Sequence, residues 1–195
     1  MPDNFIMQMR PWFGEEEKEA LASYMEEDGF LTEFKRTEAF EDAIAAFTGA
    51  KHCIVVNNGT ISLTLAAMAT GIQGDDEIIV PNYTMIATPN AMKIFGGKPV
   101  FVDVEPETLC LDIHKTRDAI NAKTKAVILV SSNGRYPKSK IQDYQKLCND
   151  EGIVLIEDAA QSFGAKYKNK MVGTFGKAGC FSLHPLKSLG GAGDG

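Results

Sequence analysis

Three stretches of the chain hold side chains that could do chemistry together. The first is Gly179-Cys180-Phe181-Ser182-Leu183-His184-Pro185-Leu186-Lys187-Ser188-Leu189-Gly190, a short apolar run, a serine, a proline-braced turn, one lysine and then glycines to Gly195. Apolar neighbours desolvate an ammonium, and a desolvated lysine is a nucleophile towards carbonyl groups. The plainer reading of any lysine is a solvated surface charge. The second stretch, Asn58-Gly59-Thr60, stands at the mouth of a helical run. Free N–H groups and a threonine hydroxyl there make an anion site of the phosphate-binding kind, or Thr60 simply caps the helix. The third, Glu157-Asp158-Ala159-Ala160-Gln161, places an acidic pair at the end of an apolar run.

Acidic pairs hold metals, cap helices or face cationic ligands. A metal needs further converging ligands, and the chain has only three histidines, none clustered. Beside a phosphate site and a lysine, Asp158 suits another task, keeping a pyridine nitrogen protonated so that pyridoxal 5'-phosphate (PLP) acts as an electron sink. Gln161, one helical turn further on, would reach the ring hydroxyl.

The elements that must position these residues follow from periodicity. Helical spacing predicts helices over 15–26, with Leu21, Tyr24 and Met25 towards a core, and over 37–48, with Phe40, Ile44 and Phe47 at helical spacing. Gly29-Phe30-Leu31-Thr32 separates the two. Short apolar or β-branched runs predict strands over 52–56, 77–80, 99–104, 125–130, 153–157 and 179–183, with a hairpin edge over 166–172. Helices over 61–70, 86–95, 113–120 and 140–149 alternate with them. Continuous apolar strands alternating with helices imply an α/β fold, a mostly parallel sheet with helices on both faces. Ligands of such sheets bind beyond the carboxyl ends of the strands, where all three stretches fall.

Composition narrows the classes. The chain has 195 residues, 44% hydrophobic and 24% charged, which suits one domain with a sizeable core. Twenty basic residues against 26 acidic ones give a net charge of -6, with no basic run, which disfavours nucleic acid as a partner. No apolar stretch is long enough to span a membrane. Cys53, Cys110, Cys148 and Cys180 lie far apart and read as buried thiols of a cytoplasmic protein, with no zinc site or disulfide framework. The glycines 190–195 would suit a dinucleotide-binding turn only if a helix opened after them. A chain stopping at such a turn reads as one cut short.

Several blocks in order resemble the DegT-type nucleotide-sugar aminotransferases, among the fold-type I PLP enzymes. They are Gly29-Phe30-Leu31-Thr32, Phe47-Thr48-Gly49-Ala50-Lys51-His52, Asn58-Gly59-Thr60, residues 74–81 and 98–104, Ile156 to Gln161, and Gly179-Cys180-Phe181-Ser182. The resemblance implies that residues 1–195 form the large, PLP-binding domain, with a small C-terminal domain absent. It implies that Lys187 holds the cofactor covalently and shuttles the proton, that Asp158 pairs with the pyridine nitrogen, and that Gln161 faces the ring oxygen. Gly59, Thr60, the Ile61 backbone and Ser182 would hold the phosphate, and Met85 would stack on the ring where many relatives have an aromatic residue. Ser131-Ser132-Asn133-Gly134 stands where many relatives carry a histidine-containing turn. His184 lies near Lys187 without replacing it, which resembles the aminotransferase branch and not the dehydrating one. The implied reaction moves an amino group from glutamate to a keto-deoxyhexose of a nucleotide sugar, in a homodimer. A non-catalytic relative that binds PLP or dimerises without turnover would share every quoted residue.

Overall fold

The computed structural model describes residues 5–6, 10–27 and 35–195. The Gly29–Thr32 block lies outside them. Two helices, α1 (Glu15–Glu26) and α2 (Lys35–Thr48), precede an alternating α/β body. That body runs α3 (Gly59–Ala69), β1 (Glu77–Pro81), α4 (Ala87–Lys93), β2 (Lys98–Val102), α5 (Ile113–Ala119), β3 (Thr124–Val130), α6 (Ile141–Glu151) and β4 (Val154–Asp158). A two-stranded hairpin, β5 (Lys166–Tyr167) and β6 (Lys170–Met171), and the short β7 (Ala178–Cys180) follow. Lys168 and Asn169 turn the hairpin with φ of 48° and 64°, the left-handed conformation its tight two-residue loop requires.

Five strands form one sheet in the order β2-β1-β3-β4-β7, every neighbour parallel. Parallel strands buried on both faces need apolar residues at every position, hence Ile78-Ile79-Val80 and Ala126 to Leu129, all almost fully buried. Alternate side chains serve opposite layers. Ile78, Val80, Ile128 and Ile156 pack with Leu63 of α3 and Met92 of α4. Ile79, Val127, Leu129 and Leu155 pack with Ile113 of α5 and Tyr144 of α6. The expected architecture, a mostly parallel sheet with helices on both faces, is the one formed.

Three local expectations are corrected. Residues 52–56 form no strand. They find no ladder, Ile54 is 78% exposed, and the Val55 N–H donates instead to the Glu41 carboxylate of α2 at 2.7 Å. Among the described residues the apolar side of α1 meets no core: Leu21 and Met25 are exposed, and α1 buries none of its residues. No helix follows β4, so Gln161 sits in a turn, not one helical turn beyond Asp158.

The register sets the site. Val130 pairs with Asp158, and Asp158 with Cys180, so the turns after β3, β4 and β7 emerge side by side at the carboxyl edge of the sheet.

Candidate active site

At that edge the acidic pair divides. Glu157 points to one face, where its carboxylate accepts the Gly173, Phe175 and Gly176 N–H groups at 2.9, 2.5 and 2.6 Å. Asp158 points to the other, 5% exposed, its Oδ2 accepting the Thr88 hydroxyl at 2.7 Å and its Oδ1 the Ala160 N–H at 3.2 Å. Burial pushes the Asp158 carboxyl up from its ordinary range, while the Thr88 hydroxyl, the Ala160 N–H and the Lys187 ammonium pull it back. Burial also raises Glu157, against the pull of its three N–H donors.

Lys187 is half-buried in a turn built by its neighbours. Its N–H donates to the His184 carbonyl at 2.8 Å, and His184 Nδ1 accepts the Leu186 N–H at 3.2 Å. Gly190 closes the turn: a Cβ there would lie 2.7 Å from the Pro185 carbonyl oxygen, so only glycine lets the chain return this tightly. Lys187 and Gln161 share the wall of a cavity of about 580 Å³ with Asn133, Arg10, Trp12 and Glu17. The Gln161 Oε1 accepts the Asn133 N–H at 2.7 Å, which orients the amide and leaves its NH₂ as the uncommitted end. Asn133 meets it from a left-handed conformation, φ 51°.

The anion site is assembled by close approach. A Cβ on Gly59 would lie 3.0 Å from Ser182 Cβ and 3.1 Å from the Phe181 carbonyl oxygen, so the N-terminus of α3 presses on the chain just beyond β7. Asn58 is the cap, not Thr60; its Oδ1 accepts the Ile61 N–H at 2.9 Å. An anion would therefore share Ile61 with the cap. Ser182 Oγ accepts the His184 N–H at 3.3 Å, which leaves the hydroxyl proton to donate. Phe163 supports this corner, stacked on Phe47 of α2 and edge-on to Phe181.

Met85 stands 62% exposed ahead of α4, its carbonyl accepting the Thr88 N–H at 3.0 Å. It is outside the wall shared by Gln161 and Lys187. Three features escaped the sequence reading: Thr88 on Asp158, Asn133 on Gln161, and the N-terminal wall of Arg10, Trp12 and Glu17. The i, i+4 spacing of Thr84 and Thr88 was the one signal available for the first.

The profile of the DegT/DnrJ/EryC1/StrS aminotransferase family matches residues 11–195. The chain belongs to that family. It is 43% identical over 155 residues to a UDP-2-acetamido-2-deoxy-3-oxo-D-glucuronate aminotransferase of Pseudomonas aeruginosa, covering 80% of this chain and 43% of that one. Among solved structures, DesV of S. venezuelae in complex with a ketimine intermediate superposes with a TM-score of 0.85 at 32% identity, over 92% of this chain and 48% of that one. NtdA of Bacillus subtilis with bound cofactor PMP gives 0.84 at 27%, over 98% and 45%. This family member spans about half the length, or less, of the relatives it matches.

Burial pushes the Cys148 and Cys180 thiols each up to about 12, and all four cysteines are free. Among the described residues no group of three or more His, Cys, Asp or Glu could hold a metal, and no helix is long and apolar enough to cross a membrane.

Proposed function

We propose that the chain is the PLP-binding large-domain portion of a nucleotide-sugar aminotransferase. The observation that carries the reading is the convergence at one sheet edge of a buried carboxylate, a half-buried lysine and a glycine-floored anion corner, in a chain of this family. These residues fit PLP. Asp158 offers a buried anion to a pyridinium nitrogen, the Gly59–Thr60 backbone and Ser182 offer donors to a phosphate, and the Gln161 NH₂ offers a donor to the ring oxygen. Met85 is exposed and free to lie against a ring face.

Bound PLP supplies an aldehyde carbon and an electron sink. Lys187 Nζ would hold the cofactor and would serve as the general base and acid that takes and returns a proton. Asp158 would keep the pyridine nitrogen charged, and Thr60 and Ser182 would hold the phosphate. Glutamate is the donor of this proposal, and a keto-deoxyhexose of a nucleotide sugar the acceptor. A homodimer belongs to it too, supported by the exposed apolar side of α1, and so does a cytoplasmic setting, supported by the free thiols.

The test is the absorbance spectrum of the purified chain with added PLP, beside Lys187→Ala. The expected outcome is a near-visible band that glutamate shifts and that Lys187→Ala abolishes. A folded protein with no such band would reject cofactor binding by this chain.

A further inference from the structure

Thr88 is the second residue of α4 and is fully buried. A threonine inside a helix usually donates its hydroxyl to the carbonyl four residues back. Thr48 and Thr116 do so here, to Ile44 and Asp112. Thr88 does not. Its hydroxyl leaves the helix and donates across the sheet layer to Asp158 Oδ2 at 2.7 Å, a partner 70 residues away in sequence. With its single proton so directed, the Thr88 oxygen can only accept from Thr84, whose hydroxyl lies at 2.8 Å. The order is therefore Thr84 to Thr88 to Asp158.

Position holds this chain in place. Thr88 N–H is tied to the Met85 carbonyl, and Thr64 of α3 donates to the Ala91 carbonyl of α4 at 2.9 Å, which locks the two helices together. The other carboxylate oxygen is held by Ala160 N–H. Both oxygens of Asp158 are thus set by groups that cannot drift, while each retains a lone pair for a further donor. The Thr88 hydroxyl also favours the charged carboxylate, against the burial that opposes it.

We infer that Thr88, backed by Thr84, is a positioning residue that orients the Asp158 carboxylate for the cofactor's ring nitrogen before the cofactor binds. The inference rests on the PLP reading above, and its test separates the two. Thr88→Val, Thr88→Ser and Thr84→Val are compared in the full chain by two readouts. Without ligand, the carboxyl ¹³C resonance of Asp158, assigned by its loss in Asp158→Asn, is followed at one near-neutral pH. With ligand, PLP is titrated and the dissociation constant taken from the absorbance change.

Thr88→Val is expected to move the Asp158 resonance and weaken PLP binding about tenfold or more, the size of a hydrogen bond to a charged group. Thr88→Ser, which keeps the hydroxyl, is expected to leave the resonance in place and PLP binding within about twofold. Thr84→Val is expected to fall between them. In an Asp158→Asn background Thr88→Val should cause no further loss. An unmoved resonance in Thr88→Val, or a serine variant as damaged as the valine one, would overturn the inference, because the methyl and not the hydroxyl would then matter. Should Thr88→Val not fold, Thr84→Val decides, and an unmoved Asp158 resonance there removes the relay. A parent chain that takes up no PLP rejects the cofactor reading, and the resonance still decides Thr88.

Discussion

Glu157 and Asp158 are neighbours on one strand, both almost wholly buried, both with carboxyls raised by burial, yet they are held in different ways. The difference lies in their partners. Glu157 accepts three backbone N–H groups, which are donors and nothing else. It seats the 173–176 segment, and that segment in turn seats β7: a Cβ on Gly179 would lie 1.9 Å from the Gly173 carbonyl oxygen. Asp158 meets one backbone N–H and one hydroxyl that can rotate to donate or accept. Backbone partners fix a carboxylate as structure, whereas a rotatable partner leaves it room to serve a ligand.

Amide substitution breaks this comparison most sharply. Glu157→Gln turns an NH₂ towards backbone N–H groups that cannot reverse, so a loss of about 3 kcal/mol in urea unfolding is expected. An unchanged midpoint would show that the three bonds do not seat the segment. Asp158→Asn can be accommodated, with its carbonyl on Ala160 and its NH₂ on a reversed Thr88 hydroxyl. A gain of about 1 kcal/mol at neutral pH is expected without ligand, together with loss of the PLP band.

The pH dependence carries the same sign. A raised carboxyl binds its proton more tightly folded than unfolded, so its presence lowers stability as pH climbs from the ordinary carboxylate range through the raised one. The gain in Asp158→Asn should therefore vanish in acid, below the unfolded carboxyl range. A gain independent of pH would point to packing instead.

Smaller changes sharpen the boundary between the two regions. Gln145 of α6 donates to the Phe175 carbonyl at 2.7 Å, a second tie on the segment that Glu157 holds. Gln145→Ala should cost about 1 kcal/mol and leave PLP affinity alone. Gly59→Ala should do the reverse. With Ser182 Cβ at 3.0 Å the corner must open slightly, weakening PLP about threefold, roughly 0.6 kcal/mol, with little change in melting temperature.

Much of this was legible in the sequence. Strands β1, β3 and β4 were plain because burial on both faces forces unbroken apolar runs. The run 52–56 has the same β-branched character and is no strand, since composition cannot say whether a pairing partner stands beside it. The apolar stripe of α1 was equally visible, but a stripe does not name what covers it. At the site, Asp158 and Gln161 stood out within one family block and Lys187 by its apolar and glycine-rich neighbours, and the structure sets Lys187 and Gln161 on one cavity wall. Glu157 read as half of a chemical pair, because strand alternation puts neighbours on opposite faces and only the 173–176 segment decides what one face meets. Beyond its spacing from Thr84, nothing in the sequence marks Thr88, because its partner is 70 residues distant.

The clip between Gln161 and Asn133 has a consequence for recognition. One lone pair of the Gln161 oxygen is engaged by a backbone N–H, and that fixes the orientation of the whole amide. The side chain therefore meets a ligand with its NH₂ protons already in place for an oxygen bearing charge or a free lone pair, and little side-chain freedom is left to lose on binding.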